Sequence, residues 1–289
     1  MSDFVRHNAV ATDFATSDSW VILSPIEQSI KRKIEAVGTP LKDWNINIYR
    51  GVLTGYNEAF IISTEKRNEI LNNCQNPEER QRTEELIRPI LRGRDIKRYG
   101  YDWVNLWLIN THNGIKGKLD RIHIEDYPAV KAYLDQYWDK ISTRADKGDT
   151  PYNLRNCAYL DDFNKPKAMW KIIGSNICFS FDFNSMYCNN AVNIITGDPG
   201  HLLQFVGLMN SKLFEWYLKI SNEAPIADER VQLYVTTLEK TLLKLDFSDD
   251  FSNVIRNRIN GTATDKDVNS AVYQVYDLSS EEIGYIESI

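Results

Sequence analysis

Two hydrophobic periodicities meet near residue 199, and a fold built on one kind of element cannot satisfy both. Before "GDPGH", short apolar runs with strand character are interleaved with capped helical segments. From "LLQFVGLMNSKLFEWYLK" onward the spacing is helical, with no strand signal. This segregation predicts an α+β fold. An N-terminal segment, residues 1–43, carries one capped helix; residues 44–198 form a strand-rich mixed α/β body; residues 199–289 form a helical C-terminal region. The chain has 289 residues, 43% of them hydrophobic, which suffices for one large or two smaller cores. No internal repeat or low-complexity tract interrupts this plan.

Local signals place the elements. In "SPIEQSIKRKIEAVG", Ser24 caps a helix with Glu27 three residues on, Pro25 takes the first helical position and Gly38 ends it. "WNINIYRG" alternates Trp44, Ile46 and Ile48 against Asn45, Asn47 and Tyr49, the pattern of a half-buried strand, and "VLTGYNEAFII" leads through a glycine turn to a second strand. "NPEERQRTEELIRPILRG" reads as a helix capped by Asn76 and Pro77 and broken or kinked at Pro89. "WVNLWLIN" reads as a buried strand, and "DYPAVKAYLDQYWDKISTRADKG" as a long helix with Tyr133, Tyr137 and Trp138 in a stripe. "AMWKII", "ICFSFDF" and "AVNIIT" complete the strands of the body.

Several classes of function lose support. No apolar run approaches the roughly 18 residues of a membrane span, and "MSDFVRHNAV" lacks a signal-peptide core, so a cytoplasmic protein with no membrane association is expected. Cys74, Cys157, Cys178 and Cys188 form no metal-binding spacing with each other or with His7, His112, His123 and His201, and are read as reduced thiols. Dinucleotide, phosphate-loop, hydrolase-elbow and zinc-protease motifs are all missing.

Charge is distributed unevenly. Residues 199–289 hold 8 Lys and Arg against 14 Asp and Glu, which accounts for the net charge of -6 and masks a basic cluster in the body. In "RPILRGRDIKRYGYDW", Arg88, Arg92, Arg94, Lys97 and Arg98 are offset only by Asp95 and are followed by Tyr99, Tyr101 and Trp103. Cations beside aromatics suit phosphate contacts and base stacking. The same pattern suits a solvated helix end with aromatics entering the core, and the residues alone leave both readings open. A third reading takes Asp95 and Lys97 as the acid-x-Lys half of a magnesium-dependent nuclease, with Glu78 as the second carboxylate; a plainer role for Asp95 is to pair with a neighbouring Arg.

Two further stretches offer candidate contacts. "YRGVLTGYNEAF" sets Arg50, Thr54 and Asn57 beside Gly51 and Gly55, a loop able to press on a duplex or simply to turn a hairpin. "YNLRNCAYLDDFNKPKAMWK" supplies Arg155, Lys165, Lys167 and Lys171, partly cancelled by Asp161 and Asp162.

These stretches, with "LLQFVGLMNSKLFEWYL" and "VYDLSSEEIGYIES", occur in an order that resembles the TaqI-like C-terminal specificity domain of adenine-specific DNA methyltransferases, including those fused to restriction endonucleases. The resemblance spans about residues 20–289. It implies a target-recognition module that binds double-stranded DNA and positions an adenine for a methyltransferase domain lying N-terminal to it, which would use S-adenosylmethionine. The catalytic Asn/Asp-Pro-Pro-Tyr/Phe motif is missing, so the chain itself is expected to hold no cofactor or metal and to be a recognition half. The family's two hallmark runs fall on Arg50, Gly51, Thr54, Gly55 and Asn57 and on Arg92, Gly93, Arg94, Asp95, Lys97 and Arg98. With the charge and aromatic reading added, Arg50, Thr54, Asn57, Arg92, Arg94, Lys97, Arg98, Tyr99, Lys165 and Lys167 are expected to face DNA, with Gly51, Gly55, Gly93 and Asp95 shaping the turns. The alternatives are the nuclease using Glu78, Asp95 and Lys97, and a protein-interaction module of a larger complex.

Overall fold

The computed structural model describes residues 23–174, 176, 178–221, 226–227, 230–244 and 248–289. The opening sequence "MSDFVRHNAV", with His7, lies outside them. The described residues fall into two units: one holds the chain through Ile46, Ile173–Phe179 and Gly197–Ile289, the other Asn47–Ile172 and Ser180–Thr196. Each is mixed in secondary structure, in keeping with the α+β expectation.

The chain enters the first unit through α1 (Pro25–Val37), whose capping box is complete: the Ser24 amide donates to Glu27 Oε2 at 2.7 Å and Ser24 Oγ accepts from the Glu27 amide. Ile30 and Ile34, one turn apart, form its buried stripe. After β1 (Thr39–Pro40) the chain passes into the body.

The body holds, in order, β2 (Ile46–Arg50), α2 (Asn57–Phe60), β3 (Ile61–Ser63), α3 (Thr64–Asn72), α4 (Pro77–Leu86), β4 (Ile87–Leu91), β5 (Leu106–Ile109), α5 (Pro128–Asp135), α6 (Trp138–Ile141) and β6 (Lys167–Lys171). The chain then runs through β7 (Ile173–Gly174), and β8 (Phe179–Asp182), β9 (Tyr187–Cys188) and β10 (Val192–Gly197) follow. One sheet has the order β3-β5-β4-β9, and another β2-β10-β6-β8. Ile62, Ile90, Leu108, Phe163, Met169, Val192 and Ile194 join α2, α4 and α5 in one apolar core. Burying a side chain of this size contributes about 1.5–3 kcal/mol.

Three local expectations change. The helix that was to kink at Pro89 ends at Leu86, and Pro89 lies within β4. Proline is tolerated there because β9 begins pairing only at Ile90, so the strand edge is open where the amide is missing. The long helix after Asp126 is two helices, α5 and α6, separated by Gln136 and Tyr137. The chain from Arg50 to Phe60 is no hairpin, because β2 joins β10 and β3 joins β5.

Beyond β10 come α7 (Pro199–Met209), α8 (Lys212–Ile220), β11 (Ile226–Ala227), β12 (Arg230–Gln232), α9 (Val235–Lys240), β13 (Leu242–Leu243), α10 (Asp249–Ile259), α11 (Asp265–Val275) and α12 (Ser280–Ser288). Asp198, Ser211, Thr264 and Ser279 cap four of these helices through their side chains. Gly207 lets α7 and α10 close together: a Cβ there would fall 2.2 Å from Ile255 Cδ1. The expected absence of strands after residue 199 is corrected by β11, β12 and β13: β11 pairs with β12, β12 with β7, and β13 with β1. Two- and three-residue strands are too short to show a period.

All four cysteines are free, Cys178 and Cys188 buried and Cys74 and Cys157 half-buried. Burial pushes the Cys157 thiol up to about 11 and that of Cys188 to about 12.

Candidate nucleic-acid interface

The connector Asn189–Ala191, between β9 and β10, is the piece on which both Arg-Gly motifs meet. The Gly51 amide donates to Val192 O at 2.8 Å and the Val52 amide to Cys188 O at 2.7 Å. On the other side, the Asn189 amide donates to Leu91 O at 2.9 Å. Arg50 Nε donates to Asn190 O at 3.0 Å. A Cβ on Gly51 would lie 2.1 Å from Asn189 O, and one on Gly93 would lie 3.3 Å from Ala191 Cβ. Close approach, not a special backbone angle, therefore makes Gly51 a glycine. Gly55 is different: its φ of +68° is a left-handed turn.

Around this connector the predicted side chains separate into two groups. Arg50, Asn57, Arg94, Lys97 and Lys165 are exposed, and Arg98 is half-buried. The guanidinium of Arg94 makes no bond with any described residue. Lys97 Nζ, half in solvent, donates to Arg94 O at 3.2 Å and lies 3.6 Å from Asp102 Oδ2. Lys165 Nζ pairs with Asp162 Oδ1 at 2.7 Å.

The second group turns inward, which corrects their placement at a DNA-facing surface. Lys167 is wholly buried, its Nζ 2.6 Å from Asp182 Oδ2 and 2.6 Å from Phe163 O. A charge in the core is retained only with such a partner. Tyr99 is 2% exposed, with φ of +69°, in the tight turn from Ile96 to Tyr101 that the Lys97 amide closes on Gly100 O at 2.9 Å. Thr54 is buried too, its Oγ1 donating to Asn57 Oδ1 at 2.6 Å.

Arg92 and Asp95 form a closed ring. The Arg92 amide and Nε both donate to Asp95 Oδ2, at 2.8 and 3.0 Å, and Nη2 donates to Oδ1 at 2.9 Å. Asp95 is 3% exposed and both its oxygens are used. That is the plain pairing role considered for it, and it leaves the carboxylate no open side for a metal. Glu78 is exposed in the first turn of α4. Among the described residues no group of three or more His, Cys, Asp and Glu is arranged to hold a metal ion.

Three features escaped sequence reasoning. Glu79, next to the candidate Glu78, is the buried carboxylate, accepting from the Ala129 amide at 2.9 Å and the Gln75 amide at 2.7 Å. Arg144 is buried against Phe60 and donates to the carbonyls of Ile141, Asp146, Pro151 and Asn153, and burial lowers it to about 10. Phe183 is 55% exposed. The connector Asn189–Ala191 was missed as well, although it had a cue that these three lack, the Asn189-Asn190 pair as a turn signal between two apolar runs.

The fold is a mixed α and β one. A solved structure of the Type IIL restriction-modification enzyme MmeI in complex with DNA superposes with a TM-score of 0.57 at 12% identity, covering 88% of this chain and 37% of that one. The type IIG restriction endonuclease BpuSI gives 0.49 at 12% identity, covering 82% of this chain and 28% of that one. The chain thus spans little more than a third of the length of MmeI. No curated protein matches it. The sequence pattern of the TaqI-like C-terminal specificity domain matches residues 88–242, more than half of the chain. The chain belongs to that family.

Proposed function

We propose that this chain is the duplex-DNA target-recognition domain of a larger restriction-modification enzyme, working beside an adenine-N6 methyltransferase domain that carries S-adenosylmethionine, in the cytoplasm. The observation that carries this reading is the convergence of the two Arg-Gly motifs on Asn189–Ala191, which brings Arg50 and the Arg92–Asp95 turn to one connector and leaves Arg50 and Arg94 exposed. Exposed guanidinium groups neutralise phosphates and can read guanine through paired hydrogen bonds. Family membership and the resemblance to MmeI, solved with DNA, support the same reading.

The test is a titration of the full chain with random-sequence duplexes over a range of salt. Binding that weakens steeply with salt is expected, and replacing Arg50 and Arg94 together should lower the salt slope by roughly one per phosphate contact removed. Duplex binding indifferent to salt, or none at any salt, would overturn it.

A further inference from the structure

The turn joining β8 to β9 is held more firmly than a surface turn needs. Its root is Asp182, fully buried with Lys167. Asp182 Oδ1 accepts from Tyr101 OH and from the Asn184 amide, each at 2.9 Å, and Oδ2 accepts from Lys167 Nζ at 2.6 Å and the Met186 amide at 2.9 Å. Asn184 Nδ2 donates to Tyr101 OH at 2.9 Å. Ser185, in the left-handed region at φ +55°, donates its hydroxyl to Asn164 O at 3.1 Å. A buried ion pair and a left-handed non-glycine residue both cost free energy, and here both serve one turn.

That turn presents Phe183, a residue 55% exposed, while Phe181 lies buried beside it with ring centroids 4.4 Å apart. An apolar ring on a rigid mount has lost its conformational freedom in advance, as an anchor for a partner requires. The groups that brace the turn also brace cations. Tyr101 closes the hairpin that carries Lys97 and Arg98, and Asn164, which accepts from Ser185, also accepts from Arg88 Nη2 at 3.0 Å. Among cations, the flat apolar surface to cover the ring is a nucleobase.

We propose that Phe183 is an aromatic wedge that stacks on a base exposed at an opened step of the bound duplex. The inference rests on the DNA-recognition reading above and adds to it a contact independent of phosphate charge. A wedge of this kind stabilises distorted DNA by replacing lost base stacking.

The experiment compares the full chain with its F183A and F183W variants on random-sequence duplexes and on the same duplexes carrying one unpaired base. The wild type should favour the bulged duplex. F183A should bind it about tenfold more weakly, with an unchanged salt slope, and F183W should restore affinity. Phe183 is exposed, so these variants are expected to fold, and unchanged unfolding curves verify it. F183A binding both duplexes as the wild type does would overturn the wedge, the outcome if the ring is instead covered by another protein domain. A wild type that binds neither duplex would overturn the DNA-recognition reading and the wedge together.

Discussion

Lys167 Nζ lies 2.6 Å from Asp182 Oδ2 in the body, with neither side chain reaching solvent. Sequence composition presents Lys167 as one more surface cation; its position makes it a structural member of the core.

Removing one partner of such a pair leaves the other charge buried without compensation. Lys167→Met should therefore destabilise the protein by about 3–5 kcal/mol, seen as a lowered urea midpoint. Lys31→Met, which removes one half of the exposed Lys31–Glu35 pair on α1, should stay within about 1 kcal/mol. Equal effects would contradict the burial assigned to Lys167.

The two motif glycines should differ in their tolerance of a methyl group. At Gly51 it would meet a backbone carbonyl at 2.1 Å, at Gly93 a side-chain methyl at 3.3 Å. Gly51→Ala should cost about 1–3 kcal/mol or more, and Gly93→Ala distinctly less. Thermal unfolding of the two variants side by side decides this.

Neighbouring arginines should part company when truncated. Arg92→Ala strips Asp95 of its guanidinium and leaves a buried carboxylate with only the Arg92 amide as donor, so it should lower stability by about 3 kcal/mol. Arg94→Ala should leave stability unchanged and reduce DNA affinity with a shallower salt slope. Unfolding and binding measured on the same preparations separate the two effects.

Alkaline pH should expose the Tyr101 anchor. Burial raises its phenol to about 12 from an ordinary value near 10, so the neutral form belongs to the folded state. A folded value above the unfolded one contributes stability that is complete below pH about 10 and is lost as pH climbs towards about 12. Tyr101→Phe should show a smaller loss of stability than the wild type across that window.

What the sequence revealed and what it hid follow from how far each determinant reaches. Ser24 with Glu27 and Asn76 with Pro77 are caps made within three residues, and both helices start where those residues place them. Pro89 misled because its tolerance depends on where β9, nearly a hundred residues later, begins to pair. The Arg50–Gly51 and Arg92–Gly93 motifs were visible as candidates, but their common dependence on Asn189–Ala191 was not, since that connector is distant in sequence from both. Tyr99 and Lys167 fitted the chemistry of a DNA surface and lie buried, because residue type does not encode which way a turn faces. Phe183 went unnoticed for the converse reason: alternation in "FSFDF" sets it on the same side as Phe181, and only the bend after Asp182 brings it out.

The backbone passes from one unit to the other at Ile46, Ile172, Phe179 and Thr196. Trimming from either terminus therefore cannot liberate either unit intact. A designer who wishes to transplant the surface carrying Arg50 and Arg94 must graft loops onto the whole scaffold, or reconnect the chain by permutation, and cannot rely on a shorter fragment.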